Sequence, residues 1–133
     1  MTPFVINCFY YCGPDGKSEY VACKDPLPVD ERTPRVGKIA IRNVKCTNCH
    51  VAGLYFYGLP ESKIESVEME NVFISYAKNA RPGVAAMMTG CEKDSRKGIF
   101  VRNAECVTLK NVVLEGNSGE ALDIEGVDQW SWD

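Results

Sequence analysis

The chain has 133 residues and a formal net charge of −3, enough for one domain, residues 1–133, with a core of its own. That balance offers little to nucleic acid or to an anionic membrane surface, and no apolar run approaches the ~20 residues that a membrane span needs. Met1-Thr2-Pro3-Phe4 has no basic region followed by an apolar stretch, so no signal peptide is expected and the location expected is cytoplasmic, or secreted if a signal lies upstream. Seven Cys, an odd number spread over strands and loops, point to reduced, partly buried thiols rather than to a disulfide framework.

In chain order, Pro3 to Cys12 reads as an apolar, aromatic strand with a bend at Asn7. Gly13-Pro14-Asp15-Gly16 is a turn. Residues 24–37, rich in Pro and charge, read as a long surface loop. Strands follow over Ile39 to Val44, Val51 to Gly58 and Val67 to Tyr76. Residues 77–97 break the pattern and read as an inserted loop, with a short helical turn possible through Ala85 to Met88. Loops of this length often contact a partner or carry function. Strands return from Gly98 to Leu114, and a last one ends at Val127.

One phrase recurs among these strands. Ile39-Ala40-Ile41-Arg42-Asn43-Val44 returns as Val67-Glu68-Met69-Glu70-Asn71-Val72 and as Val107-Thr108-Leu109-Lys110-Asn111-Val112. Leu122-Asp123-Ile124-Glu125-Gly126-Val127 reads as a weaker copy, with Gly in the Asn place. A second phrase is Gly53-Leu54-Tyr55-Phe56-Tyr57-Gly58 and Gly98-Ile99-Phe100-Val101-Arg102-Asn103. Apolar residues two apart turn one face inward, and the variable residues between them face solvent. Asn and Gly tolerate the left-handed backbone region, so each copy should end in the same sharp bend. If the copies stack, their Asn side chains can form a hydrogen-bonded ladder. The three Asn lie 28 and 40 residues apart, and unequal intervals fit a β-solenoid with loops of variable length. The fold expected is all-β: a right-handed parallel β-helix (solenoid) segment with inserted loops. Such a piece is open at its ends unless capped, so self-association through the open helix end is expected.

Several motifs compete with blander readings. Cys46-Thr47-Asn48-Cys49-His50 spells a haem-attachment pattern, but it runs directly on from a repeat strand. Cys8, Cys12, Cys46 and Cys49 could supply four thiolates to zinc, yet two of them sit in an apolar strand. No cofactor and no metal is therefore expected. Asp123 and Glu125, two apart on one strand, have the spacing of an inverting carboxylate pair. Glu68 and Glu70 share it, so a solvated face is preferred. Arg32, in Asp30-Glu31-Arg32, could pair with a sugar carboxylate, but a self-paired loop is the preferred reading. Met87 and Met88 could form an adaptable contact, with core packing the default.

Pro3-Phe4-Val5-Ile6-Asn7-Cys8-Phe9-Tyr10-Tyr11-Cys12, Leu27-Pro28-Val29-Asp30-Glu31-Arg32-Thr33-Pro34, Gly58-Leu59-Pro60-Glu61 and Pro82-Gly83-Val84-Ala85-Ala86-Met87-Met88 together resemble the C-terminal part of bacterial polygalacturonase-like enzymes, glycoside hydrolase family 28. The resemblance spans nearly the whole chain. It implies a right-handed parallel β-helix and hydrolysis of pectic polysaccharide with inversion. The family's Asn-Thr-Asp, Asp-Asp, Gly-His-Gly and Arg-Ile-Lys motifs are all missing, and the one histidine, His50, is not flanked by glycines. No catalytic residue is therefore assigned. The resemblance does imply one sugar contact, the Tyr that ends the strand after the family's Arg-Ile-Lys, which matches Tyr10 or else Tyr11. The partners expected are a pectic oligosaccharide or polysaccharide and the upstream catalytic coils of the same enzyme. The alternatives are a non-catalytic carbohydrate-binding or assembly module, and a truncated gene product without independent activity.

Overall fold

A computed structural model describes residues 1–133. Left-handed backbone falls where the recurring phrases end. Asn43, Asn71 and Asn111 have φ of 56°, 54° and 51°, and Asn48, Asn103 and Gly126 share that region. Each such residue turns an extended chain sharply without breaking its pairing to the neighbouring strand. The strands are therefore long and bent: β1 (Phe4–Asn7), β2 (Lys38–Cys49), β3 (Ala52–Tyr57), β4 (Ile64–Tyr76), β7 (Lys97–Glu115) and β8 (Leu122–Trp132). Helix is confined to a 3-10 turn at Asp15–Lys17 and a single turn, α1 (Glu19–Ala22).

These six strands form one curled sheet, and every pairing in it is parallel. Three columns of in-register segments result. The first stacks Phe4, Leu54, Ile99 and Leu122 in one row. The second stacks Ile41, Met69, Leu109 and Trp132. The third stacks Val44, Val72 and Val112. Between the second and third columns the Asn side chains form the expected ladder. Asn71 Nδ2 donates to Asn43 Oδ1 at 3.1 Å, and Asn111 Nδ2 donates to Asn71 Oδ1 at 2.8 Å.

The register corrects one element of the sequence reading. Leu122–Val127 does not continue the Asn43–Asn71–Asn111 series. It pairs with Ile99–Ala104, so Gly126 sits against Asn103, whose Oδ1 would lie 2.5 Å from any Cβ added there. The Asn-Val place of this last coil belongs to Gln129–Asp133, where Trp130 and Trp132 pair with Val107 and Leu109. Hence β8 runs past Val127 to Trp132. At the N-terminus β1 ends at Asn7, where the sequence suggests a bend, but the chain from Cys8 to Cys12 does not resume a strand, and Phe4–Asn7 is only partly covered.

The ladder supports a direct test. Asn71→Ala loses both side-chain bonds and puts Ala, which tolerates left-handed backbone less well than Asn, at φ 54°, for a loss of about 2 kcal/mol. Asn71→Gly keeps the backbone and loses only the bonds, about 1 kcal/mol. Urea unfolding of the two variants measures the split; a surface position without structural duty would show neither loss.

Inward residues of all three columns build the main core: Leu54, Phe56, Ile99 and Val101 from the first, Val67, Met69, Val107 and Leu109 from the second, and Val72, Ile74 and Val112 from the third. The core is sealed in the middle of the stack and thins at both ends. Ile39 and Ile41 in the first coil, and Leu122, Ile124 and Trp132 in the last, are only partly buried. One outward row alternates in sign from strand to strand. Arg42 meets Glu68 at 3.1 Å and Glu70 at 3.5 Å, and Lys110 meets Glu70 at 3.5 Å from the other side. Asp133, next after Trp132, takes the same place in the last coil and exchanges backbone hydrogen bonds with Leu109 and Asn111.

The break at residues 77–97 is an insertion, as its sequence suggests, but it holds no helical turn. β5 (Gly83–Val84) pairs antiparallel with β6 (Lys93–Asp94), and the chain between them stays non-helical. Ala85, Ala86 and Met88 are buried in a second apolar cluster with Phe9, Tyr55, Leu59 and Phe100, on the outside of the first column. Packing of small side chains onto that face overrides the helix propensity of Ala-Ala-Met-Met.

Candidate functional site

The outer face of the first column is aromatic, since Tyr55, Tyr57 and Phe100 alternate with the inward Leu54, Phe56, Ile99 and Val101. The Tyr55 and Phe100 rings stack at 4.2 Å with 7° between planes. Phe9 meets Tyr57 edge-on at 5.0 Å. A local turn explains how Phe9 arrives there. Asn7 Oδ1 accepts the Phe9 N–H at 3.0 Å, which ends β1 and tips the Phe9 ring into the cluster. The next two residues then point out. Tyr10 is 51% exposed and Tyr11 38%. The main chain of Tyr10 forms an antiparallel bridge with Met88, which ties the backbone there to the insertion. Met88 is core while Met87 is exposed, and the default reading of the pair holds for Met88 alone.

Cations surround this face. The Arg102 guanidinium lies 4.0 Å and the Lys97 ammonium 5.0 Å from the Phe100 ring centre. Both are matched by acid: Arg102 with Asp123 at 2.9 Å and Glu125 at 3.5 Å, Lys97 with Asp94 at 3.4 Å and Asp123 at 3.8 Å. Asp123 is thus paired with Arg102, while Glu125, with 80% of its side chain exposed, lies on the solvated face that the spacing of Glu68 and Glu70 suggests. Lys24 is placed differently. Its ammonium lies over Phe9 at 5.1 Å and near Tyr57 at 6.0 Å, and donates to the Thr89 carbonyl at 2.6 Å.

Arg32 stands apart from the two tyrosines. Its guanidinium covers the Tyr20 ring at 4.1 Å and binds Asp30 through two nitrogens, at 2.7 and 3.3 Å. The Arg32 guanidinium hydrogen-bonded to Asp30 holds that carboxyl below the ordinary value. Arg32 lines a groove of about 210 Å³ with Cys8, Leu27 and Leu59, and neither Tyr10 nor Tyr11 borders it. The self-paired loop is what the structure contains, and the fork that would grip a carboxylate is occupied by Asp30.

The other hollows suit an acidic sugar poorly. The space of about 500 Å³ between Arg35, Glu61, Lys63, Glu65, Glu105 and Asp128 carries more acid than base, and Asp128 holds Lys63 at 2.6 Å. A hollow of about 520 Å³ has His50 in its wall, where Nδ1 accepts the Arg81 N–H at 2.9 Å. That bond leaves the proton on Nε2 and ties the ring to the insertion. Burial raises the thiols of Cys46 and Cys49 above the ordinary value, and Cys49 is only 5% exposed. No three His, Cys, Asp or Glu side chains converge as metal ligands; the four thiols weighed for zinc therefore do not meet.

Sequence reasoning reached Tyr10 but not Lys24, Tyr57 or Arg102. The aromatic alternation in Leu54–Tyr57 carries the signal for Tyr57, while Lys24 sits in a charged loop whose neighbours only the folded chain supplies. No significant match appears among protein-family models, curated proteins or solved structures. No helix is long and apolar enough to cross a membrane.

Proposed function

We propose that the curled sheet is the C-terminal portion of a right-handed parallel β-helix belonging to a glycoside hydrolase of the polygalacturonase type. In that role the chain extends the sugar cleft and closes one end of the stack, while upstream coils carry the chemistry. The supporting observation is Tyr10. The ring that the resemblance implies as a sugar contact is half exposed, and its main chain is tied to the insertion by the bridge to Met88. An exposed ring of this kind can stack on a sugar face, and its hydroxyl can bond a sugar oxygen. The partly covered first coil is the surface on which upstream coils would stack, or a second copy in the isolated chain.

The test compares hydrolysis of polygalacturonate by this chain alone and by the chain joined to upstream catalytic coils. The joined protein is expected to turn over and the isolated chain to be inactive. In the joined protein Tyr10→Ala should raise KM about fivefold, the loss of about 1 kcal/mol of stacking. Turnover by the isolated chain would overturn the division of labour. A non-catalytic carbohydrate-binding module is the second reading, favoured by the engagement of both Asp123 and Glu125 with Arg102. Sugar binding without turnover in the joined protein would select it.

A further inference from the structure

We infer that the last coil of one copy of this chain stacks on the first coil of another, head to tail, so that the curled sheet runs on from molecule to molecule. The inference rests on the strand pairing and charge of residues 1–133 and is independent of the carbohydrate reading. β1, β2 and β8 each pair on one side only, so both ends of the stack present strand edges with free N–H and C=O groups. Both ends are also apolar. Ile39 and Ile41 in the first coil are partly buried; in the last coil Trp132 is partly buried and Trp130 is 55% exposed. The register puts these residues in two shared rows: Ile39, Val67, Val107 and Trp130 in one, Ile41, Met69, Leu109 and Trp132 in the other. A head-to-tail joint in the same register sets Trp130 against Ile39 and Trp132 against Ile41 of the next copy, and covers both ends.

Charge selects this joint over the other two. β2 carries Lys38, Arg42 and Lys45 and no acid, and β1 carries no charge. β8 carries Asp123, Glu125 and Asp128 and no base, and Asp133 follows it. Two first coils face to face would bring cations together, and two last coils would bring acids together. Only unlike ends attract. Inside the chain, Glu70 shows the arrangement that results, with Arg42 at 3.5 Å on one side and Lys110 at 3.5 Å on the other. At the ends this arrangement is half made: Arg42 has acids from the second coil alone, Glu68 and Glu70, and Asp133 enters no ion pair. The joint places Asp133 of one copy in the row of Arg42 of the next, so the alternation of sign continues across it. Because the two surfaces differ, every joint leaves one of each kind free, and growth is open-ended rather than closed at a dimer.

The experiment is sedimentation equilibrium of the full chain over a range of concentrations, joined to cross-linking. The average mass should climb past that of a dimer as concentration rises, and should fall when salt is added. Asp133→Lys, at an exposed position, should weaken association about three- to fivefold, the scale of an exposed ion pair. Ala40 and Ser131 are exposed and share a row with Glu68 and Thr108. A mixture of Ala40→Cys and Ser131→Cys chains, oxidised with copper phenanthroline, should therefore give a disulfide between positions 40 and 131, which peptide mass spectrometry separates from links through the native thiols. Links of position 40 to itself or of 131 to itself, with the mass levelling at the dimer, would overturn the head-to-tail joint. Growth indifferent both to salt and to Asp133→Lys would overturn the part given to charge. A monomer at every concentration would overturn association through the ends altogether. The concentration and salt readouts use the unaltered chain and survive any variant that misfolds.

Discussion

Gly98→Ala should destabilise the chain by about 3 kcal/mol, an overpacking loss together with a broken hydrogen bond. Gly98 opens the strand in which Ile99 and Val101 enter the core. A Cβ at this position would collide with the Ala121 carbonyl oxygen and would lie 2.9 Å from both Ala121 C and Glu120 O. All three atoms are backbone, so no side chain can swing away. Relief requires the turn at 119–121 to retreat, which pulls the Ala121 carbonyl from the Ile99 N–H that it accepts at 2.8 Å. The start of β8 would then lose its neighbour. Gly37→Ala is the control: its nearest atom is a Glu65 side-chain oxygen at 3.9 Å, and its effect should stay within about 0.5 kcal/mol. Urea midpoints of the two variants give the comparison, and equal midpoints would count against the close approach.

Leu109→Ala is expected to cost about 4 kcal/mol, near the upper part of the range for buried leucine truncation. Leu109 is fully buried and lies between Met69 and Trp132 in the middle row of the second column. Its neighbours are pinned by parallel pairing on both sides, so the walls cannot collapse into the space left behind. That loss is a large part of the 5–15 kcal/mol that holds a typical domain together. Thermal unfolding should show a strongly lowered midpoint, while Val113→Ala, exposed on the same strand, should leave it near the parent value.

The strands and their bends were legible in the sequence because two local rules act together. Apolar residues at every second place set the inward face, and an Asn at the end of each phrase permits positive φ. Both rules need only neighbours in sequence, and Asn43, Asn71 and Asn111 obeyed them. The coil to which Gly126 belongs was misread because Gly satisfies the bend rule in either column, and only strand pairing decides between them. α1 was missed for a related reason. Its four residues carry no period, and Ser18, whose oxygen accepts the Val21 N–H at 3.3 Å, is a short-range cap inside a charged loop.

At the candidate site the same boundary applies. Tyr10 was singled out through its resemblance-bearing phrase, and its ring lies on the surface. Arg32 was proposed from charge, yet Asp30 two residues away neutralises it, as the preferred reading had it. Lys24 depends on Thr89, 65 residues further along, and no local pattern announces a contact across that distance. Asp123 and Glu125 share the solvated face that their spacing suggests, and only the pairing of Asp123 with Arg102 on the neighbouring strand needed the fold.

The run Arg42, Glu70, Lys110, Asp133 repeats in sign every second coil. A strand that slipped by one coil, or was exchanged with a neighbouring molecule at that offset, would set like charge on like charge; a displacement of two coils would not. This one row thereby acts as a parity check on assembly, penalising the nearest error in stacking by the sign of its charges, which the apolar interior does not carry.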